Sequence, residues 1–183
     1  MIRTFIAIPL PGQIKDEIGR VIGQLRRQNR GVRWVNPENM HLTLKFLGNI
    51  DESLVDDISA RLDDTASRYG LLNLFLDKLG CFPGLERPRV IWVGLKGDID
   101  TLGEIAREID EMTADFGVKR ETRPFRAHIT LGRLKFPTVL DMEVQLDNLG
   151  FQSTELLFFR SELLRSGARY TVLYRSKLMS QGG

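Results

Sequence analysis

The chain has 183 residues, of which 42% are hydrophobic and 27% are charged, and its formal net charge at pH 7 is +2. This composition predicts a folded globular protein, because a disordered chain has too few apolar residues to form a core. The small positive charge excludes a strongly cationic protein that coats duplex nucleic acid. Any contact with RNA must therefore depend on a local basic patch.

The sequence contains a single cysteine, Cys81. It cannot form an internal disulfide, and we expect it to be a small buried apolar residue that enters a turn.

No apolar run approaches the roughly 20 residues of a membrane span. Residues 1–9 alternate as a strand would and are too short for a secretory signal. These features predict a cytoplasmic protein that does not associate with a membrane.

The apolar residues follow two spacings along the chain. A spacing of three and four residues predicts helices at 14–25, 55–69, 102–116 and, over a shorter stretch, 139–149. Strand-like runs are predicted at 2–8, 41–47, 71–79, 89–95, 126–134, 154–164 and 169–178. A short glycine-containing link at 165–168 predicts a hairpin, and hence antiparallel pairing, between the last two strands. This mixed order predicts an α+β fold.

The only two histidines, His41 and His128, each begin the same pattern, His-x-Thr-Leu. Because alternate residues of a strand share a face, each pattern presents an imidazole beside the hydroxyl of Thr43 or Thr130. Each pattern also follows a predicted helix and a basic segment that contains proline. We interpret this repetition as an internal duplication, which predicts two lobes that face each other across a cleft.

Two imidazoles around one phosphate can divide the proton transfers between them, since an ordinary histidine pKa of about 6.5 allows both protonation states near neutral pH. Threonine hydroxyls can donate hydrogen bonds to the non-bridging oxygens. The sequence lacks the His-Glu-x-x-His and Cys-x-x-Cys spacings of zinc sites, so we predict chemistry without a metal or a cofactor. One His-x-Thr is more often structural than catalytic, but two matched copies favour catalysis.

Residues 33–48 and 123–133 resemble the two signatures of the RNA 2′,3′-cyclic phosphodiesterases. That family, historically called 2′-5′ RNA ligases, belongs to the 2H phosphoesterase superfamily. Residues 87–92 and 160–174 are similar to further family segments. The resemblance thus covers nearly the whole chain.

For the fold, this resemblance implies a single bilobal 2H phosphoesterase domain over residues 1–183. It has two antiparallel-sheet lobes related by a pseudo-twofold axis around a central cleft, with helices on the outside. One motif per lobe, at 41–44 and 128–131, lines the cleft.

For the function, the resemblance implies metal-independent hydrolysis of an RNA terminal 2′,3′-cyclic phosphate to a 2′-phosphate. His128 would be the proton acceptor that activates water, and His41 the proton donor to the leaving 3′ oxygen. Thr43 and Thr130 would hold the phosphate. The spacing itself is symmetric between the histidines, so only the resemblance assigns their roles.

Arg133 and Phe46 each lie five residues after a histidine. The resemblance implies that Arg133 contacts phosphate and that Phe46 lies against the terminal base. Strict alternation would place both on the face opposite the histidines, unless a bulge at Gly132 redirects Arg133. A surface arginine and an ordinary core phenylalanine are therefore open alternatives.

Some further residues have weaker interpretations. Lys45 could border the cleft or be a solvated lysine, and Trp34 and Trp92 could stack on bases or pack in the core. Two basic groups precede the motifs and, if a twofold axis relates the lobes, could flank one entrance. These groups are Arg26, Arg27, Arg30 and Arg33, and Arg120, Arg123 and Arg126.

Two alternatives to hydrolysis stay open. One is 2′-5′ RNA ligation in the same site, with an RNA hydroxyl in place of water. The other is a non-catalytic module that binds RNA or nucleotides. In each case we expect a monomer whose partner is an RNA or oligonucleotide, with a 2′,3′-cyclic phosphate end in the case of the enzyme.

Overall fold

The computed structural model describes residues 1–180. In this part of the chain the helices are α1 (Gly12–Gln28), α2 (Val55–Ala66) and α3 (Ile99–Ala114). The strands are β1 (Ile2–Pro9), β2 (Val32–Trp34), β3 (His41–Ile50), β4 (Leu72–Phe82), β5 (Val90–Gly97), β6 (His128–Leu134), β7 (Gly150–Ser153), β8 (Glu155–Leu164) and β9 (Gly167–Lys177). Short 3-10 turns occupy Pro37–Asn39 and Glu52–Leu54.

The strands form two antiparallel sheets. The first sheet has the order β3-β1-β8-β9, and the second has the order β2-β6-β5-β4-β7. Each sheet carries one motif strand, since β3 begins at His41 and β6 begins at His128. The succession β1-α1-β3 in the first half of the chain corresponds to β5-α3-β6 in the second. The α+β prediction with two lobes is confirmed.

The three longer predicted helices are confirmed, and their apolar stripes are buried. In α1 the inward residues include Ile14, Ile18 and Leu25, which are at most 1% exposed. Helix α1 contacts β2 of the second sheet, and α2 contacts β8 and β9 of the first. Helix α3 contacts both sheets, through β3 of the first and β4 of the second. The helix that follows β1 therefore lies against the other sheet, and the two halves of the chain are interlocked. None of the helices in residues 1–180 is long and apolar enough to cross a membrane.

The fourth predicted helix, at 139–149, is wrong. Residues 140–147 have no regular secondary structure, and apolar residues there alternate with Asp141, Glu143, Gln145 and Asp147. At each of these four positions the backbone forms a hydrogen bond with a side chain, either of α1 or of Asn29, the residue after α1. For example, Asn29 Nδ2 donates to Asp141 O over 2.7 Å. The segment lies along α1 as a strand would, with its alternate apolar side chains packed on the core.

Several strand ends differ from the predictions, and β2 and β7 were not predicted. The run predicted at 154–164 begins at Glu155, and the chain passes from the second sheet to the first at Thr154. The predicted hairpin is confirmed, since Leu164 of β8 pairs with Gly167 of β9. Cys81 is buried in β4, 7% exposed, which agrees with its interpretation as a small apolar residue.

Candidate active site

A cavity of about 710 Å³ is lined by residues of both motif strands, a size typical of small-ligand sites. All six residues that the sequence singled out lie along its walls. They are His41, Thr43, Phe46, His128, Thr130 and Arg133. The two sheets therefore bring together side chains from separate halves of the chain around one space.

A bulge in each motif strand brings Phe46 and Arg133 to this cavity. The pairing of β1 with β3 skips Leu44, and the pairing of β5 with β6 skips Leu131. Each skipped residue lies three places after a histidine and reverses the alternation beyond it. The first seven residues of β3 and β6 share one burial pattern, in which the sixth residue, Phe46 or Arg133, is exposed.

The predicted bulge at Gly132 is therefore one residue too late. Gly132 has a different role, because a Cβ atom there would lie 2.7 Å from Val32 Cγ1 and 3.0 Å from the ring of Trp34. The absence of a side chain lets β2 approach β6 as an edge strand.

His128 is oriented by the backbone just before it. Its Nδ1 lies 2.7 Å from the carbonyl oxygen of Arg126, and because a carbonyl only accepts, Nδ1 carries the proton. In the neutral ring Nε2 is then free to accept a proton. The ring of Phe82 meets the imidazole edge-on with a centroid distance of 5.1 Å.

His41 lies in a more apolar environment. Its ring stacks on Phe5 at 4.6 Å between centroids and meets Tyr170 edge-on at 5.2 Å, with Phe159 at 5.7 Å. Burial lowers the pKa of His41 to about 4, the charge of Lys15 acts in the same direction, and a hydrogen bond to the Asn39 backbone opposes both. His41 is therefore neutral at pH 7. The structure thus distinguishes two histidines that the sequence motif leaves equivalent.

Tyr170 is a site residue to which the sequence assigned no role. It lies in β9, lines the cavity and contacts both His41 and Phe5. The nearby carbonyl of Ala168 accepts a hydrogen bond from Asn39 Nδ2 at 3.2 Å, which ties the β8–β9 hairpin to the approach to His41. No sequence spacing links this tyrosine to the motif.

Lys45 is buried in the cavity wall, 2% exposed, so the solvated alternative is wrong. Its Nζ donates to Asp110 Oδ1 at 2.6 Å, to the carbonyl of Lys119 at 2.7 Å and to Glu121 Oε1 at 3.4 Å. Burial alone would raise the pKa of Asp110, but hydrogen bonds from Lys45, the Glu121 amide and Arg120 outweigh it and lower that pKa. This ion pair joins β3 to α3.

Neither tryptophan lines the cavity. Trp92 covers Gly80 and contacts Phe82 at 5.0 Å between centroids, so it is a packing residue outside the cavity lining, and so is Trp34.

Of the two basic groups only the second, Arg120, Arg123 and Arg126, lines the cavity; the prediction that both flank one entrance is wrong. Within residues 1–180 no three His, Cys, Asp or Glu residues are grouped to hold a metal ion.

Known proteins are similar to this chain in sequence and in fold. The family model LigT-like phosphoesterase matches the chain twice, over residues 8–92 and 93–170, so each copy contains one motif. An RNA 2′,3′-cyclic phosphodiesterase of Methanocaldococcus jannaschii is 33% identical over 178 residues, which cover 93% of this chain and 98% of that protein.

Two solved structures are similar over almost the full length. TT0787 of Thermus thermophilus has a TM-score of 0.87 at 27% identity, covering 99% of this chain and 100% of that one. Escherichia coli LigT complexed with 3′-AMP has a TM-score of 0.85 at 28% identity, covering 98% of this chain and 99% of that one. With the duplicated match and the paired motifs in one cavity, the chain belongs to the LigT-like phosphoesterase family of the 2H superfamily.

Proposed function

We propose that this protein hydrolyses the terminal 2′,3′-cyclic phosphate of RNA to a 2′-phosphate. The observation that carries the proposal is the single cavity in which the two His-x-Thr motifs meet. The similarity to a phosphodiesterase from Methanocaldococcus jannaschii and to a LigT that holds 3′-AMP supports the same substrate class.

In the proposed reaction a water molecule attacks the phosphorus and the bond from phosphorus to the 3′ oxygen breaks. His128 Nε2 accepts the proton that the water loses, and its Nδ1 contact with Arg126 holds the ring for this role. His41 gives a proton to the departing 3′ oxygen. The products are a 2′-phosphate and a free 3′-hydroxyl.

The donor role of His41 requires a proton that this imidazole does not carry at neutral pH, since burial keeps its pKa at about 4. A bound phosphodiester anion supplies the missing stabilisation, because an adjacent negative charge favours the imidazolium. Substrate binding therefore charges the acid where it is needed.

The remaining four residues complete the site. Thr43 and Thr130 donate hydrogen bonds to the non-bridging oxygens, where the transition state concentrates negative charge. Arg133 offers a guanidinium fork to the same phosphate, and Phe46, 55% exposed, offers a ring to the terminal base.

We further propose that the two lobes act as one domain, in a cytoplasmic monomer.

The test is incubation of a nucleoside 2′,3′-cyclic phosphate with the protein in excess chelator. We expect full turnover to the 2′-phosphate, identified by phosphorus NMR, and a rate that falls on both sides of an optimal pH. Formation of a 2′-5′ linkage from an added RNA 5′ end would instead indicate ligation. Binding without turnover between pH 5 and 9 would contradict the proposal and indicate a binding module.

A further inference from the structure

Residues 119–127 form a connection between α3 and β6 that has no regular secondary structure, here called the strap. The strap runs along the cavity and leads directly into His128. It contributes three arginines to the wall, Arg120, Arg123 and Arg126. The strap is thus the most cationic part of the site.

One end of the strap forms hydrogen bonds with the buried ion pair of Lys45 and Asp110. Among the described residues, its hydrogen bonds to β3 and α3 involve only three residues there, Lys45, Asp110 and Glu111. The amide of Glu121 donates to Asp110 Oδ1 at 2.9 Å, and Lys45 Nζ donates to the carbonyl of Lys119. These contacts hold the strap backbone in place without using the guanidinium groups of Arg123 and Arg126.

Among residues 1–180, two of the three arginines have no anionic partner. Arg120 pairs with Asp110 at 3.2 Å and with Glu111 at 3.5 Å. Within residues 1–180, Arg123 and Arg126 form no salt bridge, and the guanidinium of Arg126 lies 5.9 Å from the centroid of the Phe82 ring. Both are exposed on the cavity wall, so their charge is available to a ligand.

The positive charge of Arg123 and Arg126 is more than the single negative charge of a cyclic phosphate requires. The cyclic phosphate carries one negative charge, and the proposed function already assigns it two histidines, two threonines and Arg133. An RNA substrate adds one phosphodiester anion for each nucleotide that precedes the terminal one. Guanidinium groups bind such anions through paired hydrogen bonds and without regard to base sequence.

We propose that Arg123 and Arg126 bind the phosphodiester backbone immediately before the terminal nucleotide, which makes oligonucleotides, rather than cyclic mononucleotides, the preferred substrates. This inference rests on the proposed function and names its substrate class. The carbonyl of Arg126 contacts His128 Nδ1, so one residue borders both the catalytic imidazole and the incoming backbone. The strap thereby aligns the RNA with the reacting phosphate.

The test compares a nucleoside 2′,3′-cyclic phosphate with a trinucleotide that ends in the same group. For the unmodified protein we expect a KM about tenfold lower for the trinucleotide, since added phosphate contacts dominate such affinities. In the R123Q/R126Q variant, which keeps the backbone carbonyl that holds His128, the KM for the trinucleotide should rise about tenfold relative to the KM for the mononucleotide. The slope of log KM against log salt for the trinucleotide should fall by roughly 0.7 per arginine.

The matched control is R26Q/R27Q, which removes two exposed arginines from the last turn of α1, outside this cavity. This variant has the same net charge and should keep the trinucleotide preference. An equal loss in the control, an equal loss for both substrates, or an unmodified protein that shows no trinucleotide preference would each overturn the strap site while leaving the hydrolase intact. Absence of turnover of either substrate would overturn the proposed function itself and the strap site with it.

Discussion

The imidazole of His41 stacks on the ring of Phe5, with centroids 4.6 Å apart and an angle of 26° between the ring planes. Phe5 is 2% exposed and belongs to β1, the strand that pairs with β3. The contact removes water from one face of the imidazole and contributes to the burial that lowers its pKa. The chemical difference between the two histidines thus comes from neighbouring strands and not from the motifs.

The first prediction concerns the titration of His41. Because the chain has two histidines, proton NMR shows two imidazole Hε1 signals, and the H41Q variant assigns them. We expect His41 to titrate near pH 4 in the free protein and at a higher pH with saturating inorganic phosphate, since the anion favours the charged ring. A midpoint that does not change with phosphate would contradict the donor role of His41.

The second prediction concerns stability against pH. The folded pKa of His41, about 4, is lower than the ordinary value of 6.5 expected for the unfolded chain, so the unfolded state binds more protons between these two values. The contribution of His41 to the free energy of unfolding should therefore fall as pH decreases from 6.5 to 4, by about 3 kcal/mol in total. Urea unfolding at several pH values should show this loss for the unmodified protein and a smaller loss for H41Q. Parallel curves for the two proteins would disprove the prediction.

The third prediction concerns the two histidines in catalysis. H41Q and H128Q should each lower kcat by roughly 10²-fold to 10⁴-fold, because each removes one proton transfer. Kinetics with a cyclic mononucleotide measure the effect, and circular dichroism verifies the fold. Full activity in either variant would refute the two-histidine scheme.

The fourth prediction concerns the hydroxyl groups of Thr43 and Thr130. T43V and T130V keep the side-chain shape and remove one donor each, so kcat should fall by roughly 10²-fold to 10³-fold. T171V, at an exposed position of β9, is the control and should keep normal kinetics. If the T43V and T130V variants changed KM alone, the hydroxyls would bind the ground state and not the transition state.

The fifth prediction concerns the Lys45–Asp110 ion pair. K45M leaves the Asp110 carboxylate without its buried cation, and we expect a loss of roughly 3–5 kcal/mol in the free energy of unfolding. The control K96M, at an exposed lysine of β5, should change stability by less than about 0.5 kcal/mol. Urea unfolding measures both, and a K45M variant as stable as K96M would show that the pair does not hold β3 to α3.

The sequence predicts the parts of the fold that depend on local periodicity. The three longer helices, both motif strands and the terminal hairpin are predictable because their apolar spacings are regular over many residues. Residues 140–147 show a strict alternation of apolar and polar residues, a period of two that indicates extended chain better than the helical spacing does. Strands β2 and β7 have 3 and 4 residues, too few for a period to be read.

The sequence predicted which residues lie at the site, but not which other side chains surround them. The spacing of the two motifs identified the histidines and threonines that line the cavity. The bulges at Leu44 and Leu131 depend on pairing with other strands, and the burial of Lys45 depends on Asp110, which lies 65 residues away in sequence. The aromatic neighbours of His41 come from β1, β8 and β9, so they required the sheet topology.

The passage between sheets at Thr154 limits how the molecule can move. A single residue joins β7 of one sheet to β8 of the other, and β2, from the first half of the chain, pairs with β6 of the second sheet. A wide hinge opening would have to bend at Thr154 and separate β3 from β6, which contact each other across the two sheets. We therefore expect a substrate to meet a preformed binding groove, with catalysis that needs no large closing movement of the protein.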